Sequence, residues 1–205
     1  FYAMGSPVAG QDIDAFITTE SIPQSSTNNN MGIGIYNTSS DDYTYIQEGV
    51  SGSGSFNRGQ GYLVRVDATG VVSFTGSNPA ADSGESSTFV KALDYTGSTR
   101  YNFLANPFTA HLSTSGTGGS IKFNYDAGTL EAATAYVWNA SDGSFESYPA
   151  LSSSFTIAPG QGFFVEAKSS ISSGNFTFRF SDRATSQADS FRSFEDRFEV
   201  HLNIS

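Results

Sequence analysis

The chain has 205 residues, enough to bury a sizeable core, and its eighteen Phe, ten Tyr and one Trp are side chains that β-sheets favour. A net charge of −10, with Lys91, Lys122 and Lys168 the only lysines, argues against nucleic acid as a partner, because an acidic surface repels phosphates. The lack of cysteine excludes thiol nucleophiles, disulfides and thiolate metal sites, and no apolar run approaches the ~20 residues of a membrane-spanning helix.

In chain order the first predicted strand runs from Phe1 and closes at Ser6-Pro7. Proline cannot donate to a β ladder, so it ends such a strand. A hairpin follows, with Gly34-Ile35-Tyr36-Asn37 leading through a polar turn to Tyr43. Gly59-Gln60-Gly61-Tyr62-Leu63-Val64 then reads as a glycine turn opening a strand. Alternating strands are expected at Val71 to Ser77 and Phe89 to Tyr95. Gly97 to Arg100 looks like a tight hairpin rather than a linker.

From Tyr101 the same order returns. Tyr101 to Pro107 matches Phe1 to Pro7, and Tyr136-Val137-Trp138-Asn139 with its turn to Phe145 matches the first hairpin. Gly160-Gln161-Gly162-Phe163-Phe164-Val165 matches the first GQG strand. Asn175 to Ser181 alternates, with Phe176, Phe178 and Phe180 on one face and Asn175, Thr177 and Arg179 on the other. Phe198 to Ile204 corresponds to Phe89 to Tyr95, and the polar stretches 78–88 and 182–197 are equivalent connections. The expected fold is therefore all-β: an antiparallel β-sandwich of two tandem repeats, 1–97 and 98–205, related by a pseudo-two-fold. Whether these are two packed sandwiches or one interleaved domain is left open by the pattern. Long helices are not expected, since no sustained 3.6-residue period is present.

Ala105-Asn106-Pro107-Phe108, Tyr136 to Asn139, Pro159 to Val165 and the final alternating strand resemble a recurrent β-rich region of large surface and secreted proteins. These are proteins of Bacteroidetes-type bacteria exported by the type IX secretion system. The resemblance implies β architecture and an extracellular or cell-surface location, and it brings no shared catalytic residues. Ala105 stands where the family has Gly. The family's C-terminal sorting domain is expected outside this segment, which begins at Phe1 as a mature or excised piece.

Phosphate-cradling glycine loops lead into helices, whereas both GQG turns lead into strands, so their glycines serve backbone geometry. His111 and His201 lack a nucleophile elbow or an ordered acid and read as surface histidines. Asp41, Asp42, Asp142 and Glu146 are the acids available for paired-carboxylate chemistry, but they sit on hairpin turns, where carboxylates ordinarily cap backbone. Asp41 and Asp42 are a weak calcium candidate; no other cofactor or metal is expected. Tyr136 and Trp138 share one strand face, opposite Val137. With Asn139 they are the candidate ligand-binding residues, an aromatic platform for a sugar ring if exposed and core if buried. The sequons at Asn37, Asn139 and Asn175 are expected by chance in so Ser/Thr-rich a chain.

The leading expectation is a non-enzymatic extracellular module with a structural, adhesive or fibre-forming role. Its partners would be neighbouring domains of a larger surface protein or identical subunits, without nucleic acid or membrane insertion. The alternatives are a carbohydrate-binding module using Tyr136 and Trp138, and a subunit that polymerises by exchanging the terminal strands near Phe1 and Ile204.

Overall fold

The computed structural model describes residues 1–47, 54–66, 71–77, 88–115, 119–152, 155–184 and 199–204, with 199–204 described as backbone alone. Among these, strands dominate. β1 (Tyr2–Met4), β2 (Asn30–Asn37), β3 (Asp42–Gln47), β4 (Tyr62–Val64), β5 (Val71–Gly76) and β6 (Thr88–Ala92) come from the first half. The second half supplies β7 (Tyr101–Ala105), β8 (His111–Ser113), β9 (Thr134–Asn139), β10 (Ser144–Pro149), β11 (Thr156–Ile157), β12 (Gly162–Glu166), β13 (Asn175–Arg179), β14 (Arg183–Ala184) and β15 (Glu199–Ile204). Two helices of seven residues each, α1 (Ile13–Thr19) and α2 (Ser120–Asp126), lie among them.

Two four-stranded antiparallel sheets form the body, in the orders β1-β4-β2-β3 and β10-β9-β12-β7. Strand alternation gives each sheet two apolar faces. In the first, Met4, Ile33, Tyr62 and Val64 point into a core that also holds Phe16 of α1, Phe56, Val72 and Phe74. Asp12 starts α1 by accepting the Ala15 amide at 2.8 Å, which delivers Phe16 onto Phe74 with ring centroids 5.0 Å apart. In the second sheet Leu104, Val137, Phe163 and Val165 enter a core completed by Leu112, Ile121, Phe176 and Phe178.

The opposite faces of the two sheets meet each other. Ala3, Phe103 and Phe164 are buried between them, ringed by Tyr36, Tyr43, Leu63, Tyr101, Tyr136 and Trp138. Phe103 and Phe164 stack with centroids 4.3 Å apart, and Tyr36 meets Phe164 edge-on at 4.8 Å.

The GQG turns close this joint reciprocally. Gly59 and Gly160 both take positive φ, +72° and +69°. Gly5 N–H donates to Gly160 O at 2.8 Å, while Ala105 N–H donates to Gly59 O at 3.0 Å. Gln161 bridges to Met4 and Gln60 to Leu104, so the turn of each half covers the edge strand of the other. The glutamine side chains also serve the backbone: Gln60 Nε2 donates to Phe103 O at 3.2 Å, and Gln161 Oε1 accepts from Ala158 N at 2.9 Å.

Strand pairing crosses between the halves as well. β6 pairs antiparallel with β13, and β15 pairs in parallel with β5. Leu93, just after β6, is buried in the core of the second half. The halves are thus interleaved rather than simply packed.

This arrangement alters two local expectations. The segment 97–100 does make a tight turn, closed by paired bonds between Asp94 and Asn102, but β6 and β7 do not pair across it and no hairpin forms. Crossing to different sheets is what separates them. Phe180 does not continue its strand: β13 ends at Arg179, and Phe180 opens a 3-10 turn over residues 180–182 while still packing on the core. The connections at 78–87 and 185–198, and with them Phe198, lie outside the described residues, as do the side chains of β15.

Candidate functional site

Tyr136 and Trp138 share a face of β9, and Ala135, Val137 and Asn139 take the buried one. The two rings are half-buried at the joint between the sheets, neither a free platform nor fully core. Tyr136 meets Tyr101 edge-on at 5.4 Å, and Trp138 meets Phe145 at 5.0 Å. Trp138 Nε1–H donates to Phe1 O at 2.7 Å, which ties β9 to the chain in front of β1. Phe145, opposite Trp138 in the β9–β10 register, is 41% exposed and is the ring this rim offers to solvent. Sequence reasoning used Phe145 only to mark the strand's return; its place as a lone aromatic in the polar run Ser141 to Ser147 was the available signal.

Asn139 does not belong to that face. It is buried and organises the hairpin turn, its Oδ1 accepting from Ser141 N at 3.0 Å and Ser141 Oγ at 2.6 Å. Its Nδ2 donates to Asp142 Oδ2 at 2.9 Å and Glu146 Oε1 at 2.7 Å. The structure therefore brings Asn139, Asp142 and Glu146 together, with Tyr148 donating to Glu146; Glu146 lies within β10 opposite Val137 and not on the turn itself. Asn37 makes the same use of Ser39 in the first hairpin, at 3.0 Å to its N and 2.7 Å to its Oγ.

The calcium candidates are similarly engaged. Asp41, at φ +54°, accepts the Tyr36 hydroxyl, and Asp42 Oδ1 accepts the Tyr43 amide at 2.7 Å. Among the described residues no three His, Cys, Asp or Glu gather where a metal ion could sit. His111 is half-buried on β8 opposite Ala184, and burial holds its pKa below the ordinary value. The side chain of His201 lies outside the described residues.

A cavity of about 10 Å³ lies behind Trp138, lined by Val137, Asn139, Glu146, Tyr148 and Gln161 among others. That is on the order of one water molecule, far below the roughly 300 Å³ of a small-ligand pocket.

Electrostatically the joint is a phenol cluster in an acidic setting. Burial, then the neighbouring Tyr45 and Asp41, pushes the Tyr43 phenol up to about 12. Burial and Tyr136 push Tyr101 to about 12, and burial with the Asp41 hydrogen bond raises Tyr36 further. A raised phenol pKa means the folded state favours the neutral form. Stability from these groups is complete below the ordinary value near 10 and is lost as pH rises toward about 12. Tyrosinate absorbance should accordingly lag between pH 10 and 12 in the native protein and appear at once in urea. Simple titration near 10 in both states contradicts the buried cluster.

Sequence reasoning also missed two polar groups that hold the fold. Asn124 of α2 bonds both backbone groups of Thr177, at 2.8 and 2.9 Å, and so covers that edge of β13. Asp182, with no exposed side-chain surface, pairs with Arg179 at 2.7 Å, and the Arg179 guanidinium lies 3.9 Å from the Phe123 ring centroid. No family model, curated protein or solved structure matches the chain.

Proposed function

We propose that the chain is a non-enzymatic structural module of an extracellular bacterial surface protein, built from two tandem repeats, 1–97 and 98–205. The observation that carries this proposal is the reciprocal interleaving of the halves. Each GQG turn bonds the other half's edge strand, and β6 and β15 each pair across the boundary. The two-repeat organisation draws support from strand order: β1-β4-β2-β3 and β7-β12-β9-β10 place strands aligned by sequence in the same positions. It departs from strict symmetry in β15, which runs parallel to β5 where β6 and β13 are antiparallel.

A spacer benefits from interleaving because neither half can unfold under tension without breaking strand pairs it shares with the other. The polar residues that suggested chemistry, Asn139, Asp142, Glu146 and Asp41, are already bonded within their own hairpins. Pulling the chain by its ends in a force spectrometer tests this role. One rupture is expected, releasing roughly 70 nm of contour for 205 residues. Two successive steps of half that length contradict it.

A second function, carbohydrate binding, is favoured by one observation: exposed Phe145 beside half-buried Trp138 makes an apolar rim on an otherwise polar hairpin. An aromatic face of this kind packs on the apolar face of a pyranose. On a glycan array Phe145→Ala should reduce any signal at least tenfold, and Tyr136→Phe should leave it unchanged. Absence of binding by the parent chain removes the carbohydrate role.

A further inference from the structure

The two GQG turns match in their backbones but not in their glutamines. Gln60 Nε2 donates to the carbonyls of Phe103 and Gly61, at 3.2 and 3.4 Å. Gln161 is 3% exposed, and only its Oε1 is engaged, accepting from Ala158 N at 2.9 Å. That bond also fixes how the amide is turned. A backbone N–H can be met only by the carbonyl end of the side chain, so the other end is the NH2 group. Among the described residues Gln161 Nε2 has no protein partner.

Gln161 lines the cavity of about 10 Å³ behind Trp138, whose wall also carries Asn139, Glu146 and Tyr148. Asn139 is already saturated: its amide hydrogens go to Asp142 and Glu146, and its oxygen accepts twice from Ser141. Glu146 and Tyr148 supply acceptors. The Glu146 carboxylate takes Asn139 Nδ2 on Oε1 and the Tyr148 hydroxyl on Oε2, and an ionised carboxylate accepts about four hydrogen bonds in all. The phenol oxygen of Tyr148 accepts as well as donates. A buried donor and these acceptors thus share one small wall, and Val137, Trp138 and Phe155 make the remainder apolar.

We propose that this cavity is the binding site of one structural water molecule, which accepts from Gln161 Nε2 and donates to Glu146 and Tyr148. Size and chemistry both select water. A water needs roughly 10–15 Å³ of such space and two to four polar partners, and the site supplies both. The hydrogens of the Gln161 amide oppose a cation, and the Glu146 carboxylate opposes an anion. The water ties the second GQG turn to the hairpin that carries Trp138 and Phe145. No direct hydrogen bond from the Gln161 side chain makes that link among the described residues.

Oxygen-17 relaxation dispersion of the solvent tests the proposal, because it counts waters held for longer than the protein takes to tumble. About eight buried waters are expected for 205 residues. Gln161→Leu should remove one of them, lowering the dispersion amplitude by about an eighth. Gln60→Leu, whose glutamine is bonded to backbone, should leave the amplitude unchanged. A nuclear Overhauser effect from a resident water to the Gln161 side-chain amide protons of the parent chain supplies a readout free of mutation. A Gln161→Leu protein with the parent amplitude overturns the proposal, and so does an equal fall in both variants. Gln161 amide protons that show no such effect overturn it as well, and that measurement decides alone if either variant fails to fold.

Discussion

Replacing Gly5 with alanine should cost about 3 kcal/mol, the upper end of what an added methyl causes in a packed interior, and lower the melting temperature by roughly 6–12 °C. A Cβ at Gly5 falls 2.3 Å from the backbone oxygen of Gln60 and 2.6 Å from the Cβ of Ala105. Neither obstacle is the tip of a flexible side chain. Gln60 O belongs to the turn that covers β7, and Ala105 is the last residue of β7 itself. The methyl therefore pushes directly on the seam between the halves. Adding Ala105→Gly to Gly5→Ala removes the contact between the two Cβ atoms but leaves the Gln60 contact, so the pair should recover part of the loss. Thermal melts of the single and double variants check this, and a Gly5→Ala protein as stable as the parent refutes the close approach.

The second large effect is expected at Asn106, which is fully buried. Its Nδ2 donates to the carbonyls of Ala110, Ile157 and Ala158 at 2.8, 3.0 and 3.1 Å, and its Oδ1 accepts from Phe108 N at 3.1 Å. The backbone joins the same knot, with Asn106 N–H donating to Gln161 O and Gly160 N–H to Asn106 O. Asn106→Leu leaves several buried backbone groups without a partner, each costing about 1–3 kcal/mol. A loss of about 3–5 kcal/mol is therefore expected in urea unfolding. Asn106→Asp should be at least as damaging, because a carboxylate cannot donate and would face three carbonyl oxygens. If the aspartate variant matches the parent, the amide is not performing this role.

Short-range pattern carried much of the fold. Both hairpins follow from Asn, Asp, Ser and Gly between alternating strands, and the positive φ of Gly59 and Gly160 follows from glycine at a turn that opens a strand. Alternation also placed Tyr136 and Trp138 together, opposite Val137. What alternation could not convey is what lies across from a face. The second apolar face of each sheet is covered by the other sheet, so Tyr136 and Trp138 became part of an internal joint with a wet rim. The same limit applies to β6 and β15, whose own sequences fit a strand in either half. Their partners depend on chain crossings far away in sequence. Helices α1 and α2 were not predicted, since seven residues hold fewer than two full turns and show too little periodicity to stand out; only the Asp12 cap marks α1. Asn139 looked like a ligand contact because it follows Trp138, yet one step along a strand moves a side chain to the opposite face.

The claim that the two halves make one interleaved unit is tested most directly by calorimetry of the full chain. A single transition is expected, with van't Hoff and calorimetric enthalpies equal, at about 140 kcal/mol near 60 °C for 205 residues. Two resolved transitions, each with about half that enthalpy, would show the halves melting independently and would contradict it.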